Sequence, residues 1–118
     1  MIQSVSNSRT GNGTMYIGSR LRGRILAIKI VAGAVTDNYD MVLTGETTGI
    51  AIFTHANLTL STTEWFYPRR LADDQADASI STDCYVEIPV FNERIKCVIT
   101  NAGTAKDVAV TVIYDSET

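Results

Sequence analysis

This 118-residue chain has only two cysteines and one histidine. That scarcity excludes a structural zinc site, which needs four such side chains at close spacing. Long apolar runs are missing too. No stretch approaches 18 apolar residues, so no membrane-spanning helix is expected. The opening residues, Met1 to Arg9, lack a basic segment followed by an apolar one, and the expectation is a protein made and folded in the cytoplasm. Gly11 and Gly13 lack the lysine and following helix that a phosphate-cradling loop needs. His55 has no nucleophile-elbow glycine pattern to work with, so a loop or interface role is expected and no catalytic residue is assigned. No cofactor or metal site is expected.

What is present is β-forming sequence. Hydrophobic residues make up 45% of the chain and charged ones 19%, a balance that supports one folded domain and argues against disorder. Ile95, Cys97 and Ile99 alternate with polar residues, and Val108, Val110, Val112 and Tyr114 do the same. Period-two alternation of this kind puts one face of a strand against a core. The break at Asn101–Gly103 predicts a hairpin between these two runs. A second hairpin is predicted with its tip at Phe91–Arg94, which sets Val90 opposite Ile95, Ile88 opposite Cys97 and Val86 opposite Ile99. In that register Cys84 and Cys97 lie about 13 Å apart along the strands. A disulfide cannot span that distance, so both thiols are expected to be free and buried.

Further strands are expected at Arg22–Val31, Tyr39–Thr44, Gly49–Thr54 and Trp65–Arg69, with a weaker one at Leu58–Leu60. Residues 72–78 read as a polar connection. Turn residues at Gly33, Asn38, Gly45, Asn92 and Gly103 punctuate the series. The fold class is all-β: a single-domain antiparallel β-sandwich, jelly-roll-like, of about eight short strands. Residues 1–14, rich in Ser, Asn, Gly and Thr, read as a polar N-terminal arm, and residues 15–118 as the sandwich domain.

Charge is unevenly spread. Residues 1–36 hold five basic side chains and no acid (+5). Residues 37–118 hold five basic and thirteen acidic ones (−8), which sums to the net −3. This polarity suits contact with an acidic surface, or simply places the first strand beside acidic strands of its own fold. Arg20, Arg22 and Arg24 sit at alternate positions, so an extended backbone puts all three on one face. No stacking aromatics interleave with them and the chain is acidic overall. A subunit contact or a salt-bridged face is expected, and nucleic acid is not. Asp73-Asp74-Gln75-Ala76-Asp77 spells the DDxxD of diphosphate-binding prenyl enzymes, but that motif works on a helix, and here it falls in a short connection between strands. A solvated acidic loop is the reading. Trp65-Phe66-Tyr67-Pro68-Arg69-Arg70 is the richest contact segment. Alternation sends Trp65 and Tyr67 one way and Phe66 the other, so one side can fill the core while the other meets a partner. Trp, Tyr and Arg are the residues that dominate binding hot spots. The candidate interface residues are therefore Arg20, Arg22, Arg24, Trp65, Tyr67, Arg69 and Arg70.

The segment Glu87-Ile-Pro-Val-Phe-Asn-Glu-Arg-Ile-Lys-Cys-Val-Ile-Thr-Asn-Ala-Gly103 resembles the ends of small virion proteins of tailed bacteriophages. The resemblance covers residues 84–114 best and transfers no functional residue one by one. It implies a capsid decoration or cement protein: a structural, non-enzymatic part of the virion. Such a protein would bind the major capsid protein or another virion protein as a dimer or trimer and clamp neighbouring subunits. The alternative is a carbohydrate- or receptor-binding module of a phage tail, working through an exposed aromatic platform.

Overall fold

Eight strands make up the molecule: β1 (Ile2–Thr10), β2 (Gly13–Ala32), β3 (Tyr39–Gly45), β4 (Ala51–Leu58), β5 (Thr63–Phe66), β6 (Arg69–Leu71), β7 (Tyr85–Thr100) and β8 (Asp107–Ser116). The computed structural model describes residues 1–33, 39–58, 63–71, 85–102 and 107–116. Cys84, the Asp73–Asp77 segment, Asn38 and Gly103 lie outside that set. The fold is all-β and antiparallel, as the alternation implies. The sheet order is β1-β8-β2-β7-β3-β4, with β5 added beside β2 and β6 beside β7.

The spine is the long pair β2 and β7. The first part of β2, from Gly13 to Ile25, pairs with β7. Its last part, from Gly23 to Ala32, pairs with β8 on the opposite edge. β2 thus belongs to both halves of a folded sheet, and the inward side chains of both halves share one core. Ile17, Ile25, Ile28, Ile30, Leu43, Ile95, Cys97, Ile99, Val108, Val110 and Val112 belong to that cluster and are buried to 1% exposure or less. Each fully buried aliphatic side chain of this size stabilises the fold by about 1.5–3 kcal/mol.

A single strict alternation cannot run along strands this long, and bulges change it. In β7 the buried positions are Ile88 and Val90, then Glu93, Ile95, Cys97 and Ile99. The parity changes at Phe91–Asn92, where Asn92 adopts φ 56°. In β2 the buried series Leu21 and Ile25 gives way to Ile28, Ile30 and Ala32. That change falls at the register shift between Ile25 and Ala27. One inserted residue moves every following side chain to the other face, so each bulge keeps the apolar set inward through a bend.

Both predicted hairpins are corrected by this pairing. The chain from Tyr85 to Thr100 does not turn back at Phe91–Arg94, because β7 continues through it as one strand of 16 residues. Ile95 lies opposite Ile17 and Cys97 opposite Met15, while Val90 lies opposite Gly23 and Ile88 opposite Ile25. Val86 is exposed, not on the core face. Nor do β7 and β8 pair with each other, since β2 lies between them. Just past the end of β7 the Ala102 N–H donates to Asn12 Oδ1, in the β1–β2 turn, at 2.7 Å. The strand expected at Arg22–Val31 begins at Gly13, and the one at Trp65–Arg69 is divided into β5 and β6 by Tyr67 and Pro68. Residues 1–14 comprise β1, its turn and the start of β2. β1 pairs with β8 along its whole length.

Candidate interaction surface

The candidate side chains fall on the outer face of the folded sheet. Arg20, Arg22 and Arg24 are exposed, while Leu21, Gly23 and Ile25 between and beyond them are buried. The alternation read from the sequence holds here. Arg24 lies beside Pro89 of β7 on one side and Asp115 of β8 on the other. Its guanidinium is 3.9 Å from Glu87 and 3.6 Å from Asp115. The N-terminal ammonium approaches Asp115 at 3.0 Å. That hydrogen bond, its charge and then Arg24 hold the Asp115 carboxyl below the usual carboxylate range. Arg22 lies opposite Phe91, which is 58% exposed. No described carboxylate makes an ion pair with Arg20 or Arg22.

Arg69 of β6 sits opposite Glu87 and donates to the Leu26 and Pro68 carbonyls at 3.2 and 2.7 Å. Arg70 is exposed and lies opposite Val86. Arg24 and Arg69 line a shallow depression of about 320 Å³ with Tyr85, Val86 and Glu87. The structure therefore brings Arg24 and Arg69 together through β7. It also adds two exposed aromatics that the sequence reading missed, Tyr85 and Phe91. The signal was available: counting outward from buried Ile88 and Val90 puts both on the solvent face.

Trp65 and Tyr67 occupy a separate part of the surface. Trp65 lies opposite Lys29, whose Nζ is 5.6 Å from the ring centroid. Tyr67 is more exposed than Trp65. Alternation set Phe66 opposite Trp65 and Tyr67 and left the inward side open; Phe66 is the one that turns inward, meeting Phe53 and His55 with ring centroids 4.7 and 5.3 Å away. This aromatic cluster joins β4 to β5. His55 is thus part of a packing contact, with its Nδ1 2.9 Å from the Ala56 carbonyl oxygen.

The perturbed titratable groups belong to the framework. Cys97 is free and fully buried, and burial pushes its thiol up to about 12, which removes its nucleophilic form at neutral pH. Tyr39 is pushed to about 12 by burial, with smaller contributions from Glu64 and Cys97. Glu93 is a buried carboxylate at 4% exposure, and the sequence reading missed it. It accepts hydrogen bonds from Thr47 N at 2.7 Å, Thr48 N at 2.9 Å and Thr48 Oγ1 at 2.8 Å. Burial alone would raise its pKa, but bonds from Thr48, Thr47 and Phe91 together outweigh it and hold the carboxyl low. Its role is to tie the β3–β4 turn to the β7 bulge. At the same end Arg94 pairs with Glu46, Nε to Oε2 at 2.7 Å, and stacks over Tyr16 at 4.0 Å. Among the described residues no three His, Cys, Asp or Glu side chains form a metal-binding group.

No protein-family model matches the chain, and no curated protein matches it. Among solved structures, a chain in the acidic stable capsid structure of the Helicobacter pylori bacteriophage KHP30 is similar in shape. The TM-score is 0.48 at 12% identity, covering 98% of this chain and 89% of that one. At that level the likeness carries no argument about what this chain does.

Proposed function

We propose that the protein is a non-enzymatic structural component of a phage virion, a decoration or cement protein that binds the capsid surface and clamps neighbouring subunits. One observation carries the reading. Large aromatic side chains stand outward on the sheet and in the break between β5 and β6, with Tyr67 65%, Phe91 58% and Tyr85 57% exposed, and exposed arginines lie on the same strands and their neighbours. Exposed aromatic and arginine side chains on a fixed framework are what protein–protein hot spots are made of. The resemblance of residues 84–114 to small tailed-phage virion proteins supplies the setting. The partner in this reading is the major capsid protein or another virion protein, and the working unit is a homo-oligomer.

A glycan-binding tail module is the second reading, favoured by the exposure of Trp65 and Tyr67. Lys29 lies against a face of the Trp65 ring that a sugar would stack on, which favours the first. The deciding experiment adds purified protein to isolated capsids that lack it. Saturable addition that depends on Tyr67 and Phe91 supports decoration. Failure to add, together with glycan binding lost in Trp65→Ala, would replace it with the tail module.

A further inference from the structure

The two end strands of the sheet path are β1 and β4, and they are protected very differently. β4 shifts register twice against β3 and buries rings against Phe66. β1 runs nine residues without a register shift, a proline or a lysine. Folded proteins usually blunt such an edge with those devices.

The hydrogen-bonding phase of β1 identifies its open groups. Met1 and Ser116 exchange both bonds: Ser116 N donates to the Met1 carbonyl at 2.8 Å, and the N-terminal ammonium donates to the Ser116 carbonyl at 3.2 Å. Bonded and non-bonded pairs alternate in an antiparallel ladder. Odd-numbered residues of β1 therefore face β8, and Ile2, Ser4, Ser6, Ser8 and Thr10 direct their N–H and C=O groups to the free edge. Ser8 confirms the phase, because its N–H takes Asn7 Oδ1 at 2.8 Å. Asn7 also donates from Nδ2 to the Tyr16 carbonyl at 2.8 Å. Asn7 thus plugs the edge at Ser8. Beyond that plug, no described residue meets the outward groups of Ile2, Ser4 and Ser6.

We propose that Ile2–Ser6 is a strand-addition site for an extended, carboxylate-bearing segment of a partner protein. An added strand would satisfy the outward backbone groups of Ile2, Ser4 and Ser6. The chemistry of the occupant follows from charge. β1 and β2 contain no acid. The outward row that begins at Ile2 runs through Asp115 to Arg24, and Arg22 and Arg20 follow along β2 without described ion-pair partners. A second copy would set one basic β1–β2 region against another, whereas an acidic strand is attracted. Exposed Met1 and Ile2 offer apolar contact at one end. This inference rests on the reading that the protein works by binding another protein, and it specifies the place.

A capped eight-residue peptide alternating valine and glutamate is the probe, with the lysine counterpart as control. Amide exchange and NMR shifts on the whole protein report the site. The Ser4 and Ser6 amides should slow at least roughly tenfold with the acidic peptide. The Ser8 amide, already bonded, should change little. Ser4→Pro removes an N–H that β8 does not use, so it should fold and bind at least roughly tenfold more weakly. Should that variant not fold, the double charge reversal Arg20→Glu with Arg22→Glu should reverse the preference between the two peptides. Unchanged exchange at saturating acidic peptide, equal binding of both peptides, or undiminished binding by folded Ser4→Pro would each overturn the site. So would self-association through β1, which would assign the edge to a second copy. Capsid addition that survives Ser4→Pro would remove this site and leave the decoration reading intact.

Discussion

The β1–β8 ladder and the β2–β7 ladder are both antiparallel and behave differently. β1 follows β8 in unbroken register from Ile2–Asp115 to Thr10–Asp107. β2 slips against β7 twice, around Leu21. The regular ladder lies at the rim and leaves polar groups to solvent. The irregular ladder lies at the centre, where the sheet must bend to enclose its core. Regularity here marks a surface available for contact, and irregularity marks where closure of the core outweighs ideal pairing.

The largest test of that contrast is Gly23. Its φ is +139°, and a Cβ there would lie 1.9 Å from the Asp115 carbonyl oxygen. That oxygen is backbone and cannot move aside without disturbing the β2–β8 pairing. Gly23→Ala should destabilise by about 3 kcal/mol or more in denaturant unfolding. Ser6→Ala in the regular ladder should change stability by less than about 0.5 kcal/mol. Equal effects at the two sites would erase the distinction.

Glu93 comes next. Removing its carboxylate in Glu93→Ala leaves the Thr47 and Thr48 donors unmet and should cost about 2–3 kcal/mol. The wild-type group also has a pH signature. Its folded pKa is lowered, so its contribution is present above the unfolded carboxyl value and is lost as pH falls through the folded one. Stability should therefore drop more steeply below about pH 4.3 in wild type than in Glu93→Gln. Parallel acid profiles would show that Glu93 does not hold the turn.

These sites also show how far the sequence could be read. The buried face was legible in two strands: Ile95, Cys97 and Ile99 are buried, as are Val108, Val110, Val112 and Tyr114. Val86 was expected on the core face and is exposed, and alternation set Phe66 opposite Trp65 and Tyr67 without fixing which side faces inward. Pairing partners were not legible. Asn92 with φ 56° suits a hairpin turn and a bulge equally, and only the long-range partner β2 decides between them. Proximity in sequence suggested that β7 pairs β8, but the apolar faces of both are better covered with β2 between them. Glu93 escaped notice because it was assigned to a turn. Its parity with Ile95 and Cys97 would have marked it as facing the core. The outward set Arg20, Arg22 and Arg24 was legible from alternation, and the same count from Ile88 and Val90 would have placed Tyr85 and Phe91 outward as well.

A smaller effect is expected at the bulge itself. Asn tolerates the left-handed conformation of residue 92, and a β-branched residue does not. Asn92→Val should cost about 1–2 kcal/mol, with Asn92→Gly close to wild type. A neutral Asn92→Val would show that the strand can carry its insertion at another position.

The smallest change in stability is expected at Asn7, and it bears most directly on the contrast between the ladders. The Asn7 side chain makes two exposed hydrogen bonds, one to the Tyr16 carbonyl and one from the Ser8 N–H. Exposed bonds of this kind contribute about 0.5–1 kcal/mol each at most, because water replaces them readily. Asn7→Ala should therefore lower the melting temperature only slightly. Its effect on the edge should be much clearer. With the plug removed, the Ser8 N–H has no side-chain acceptor, so its amide exchange should accelerate while Val5 and Asn7, bonded to β8, keep theirs. The open stretch would then extend from Ser6 to Ser8, and the variant should bind extended acidic peptides more readily than wild type. Ser8 exchange that does not change would mean that the Ser8 N–H is protected by something other than Asn7. The plug at Ser8 would then not be what distinguishes the β1 edge, and the difference between the two ladders would be one of register alone.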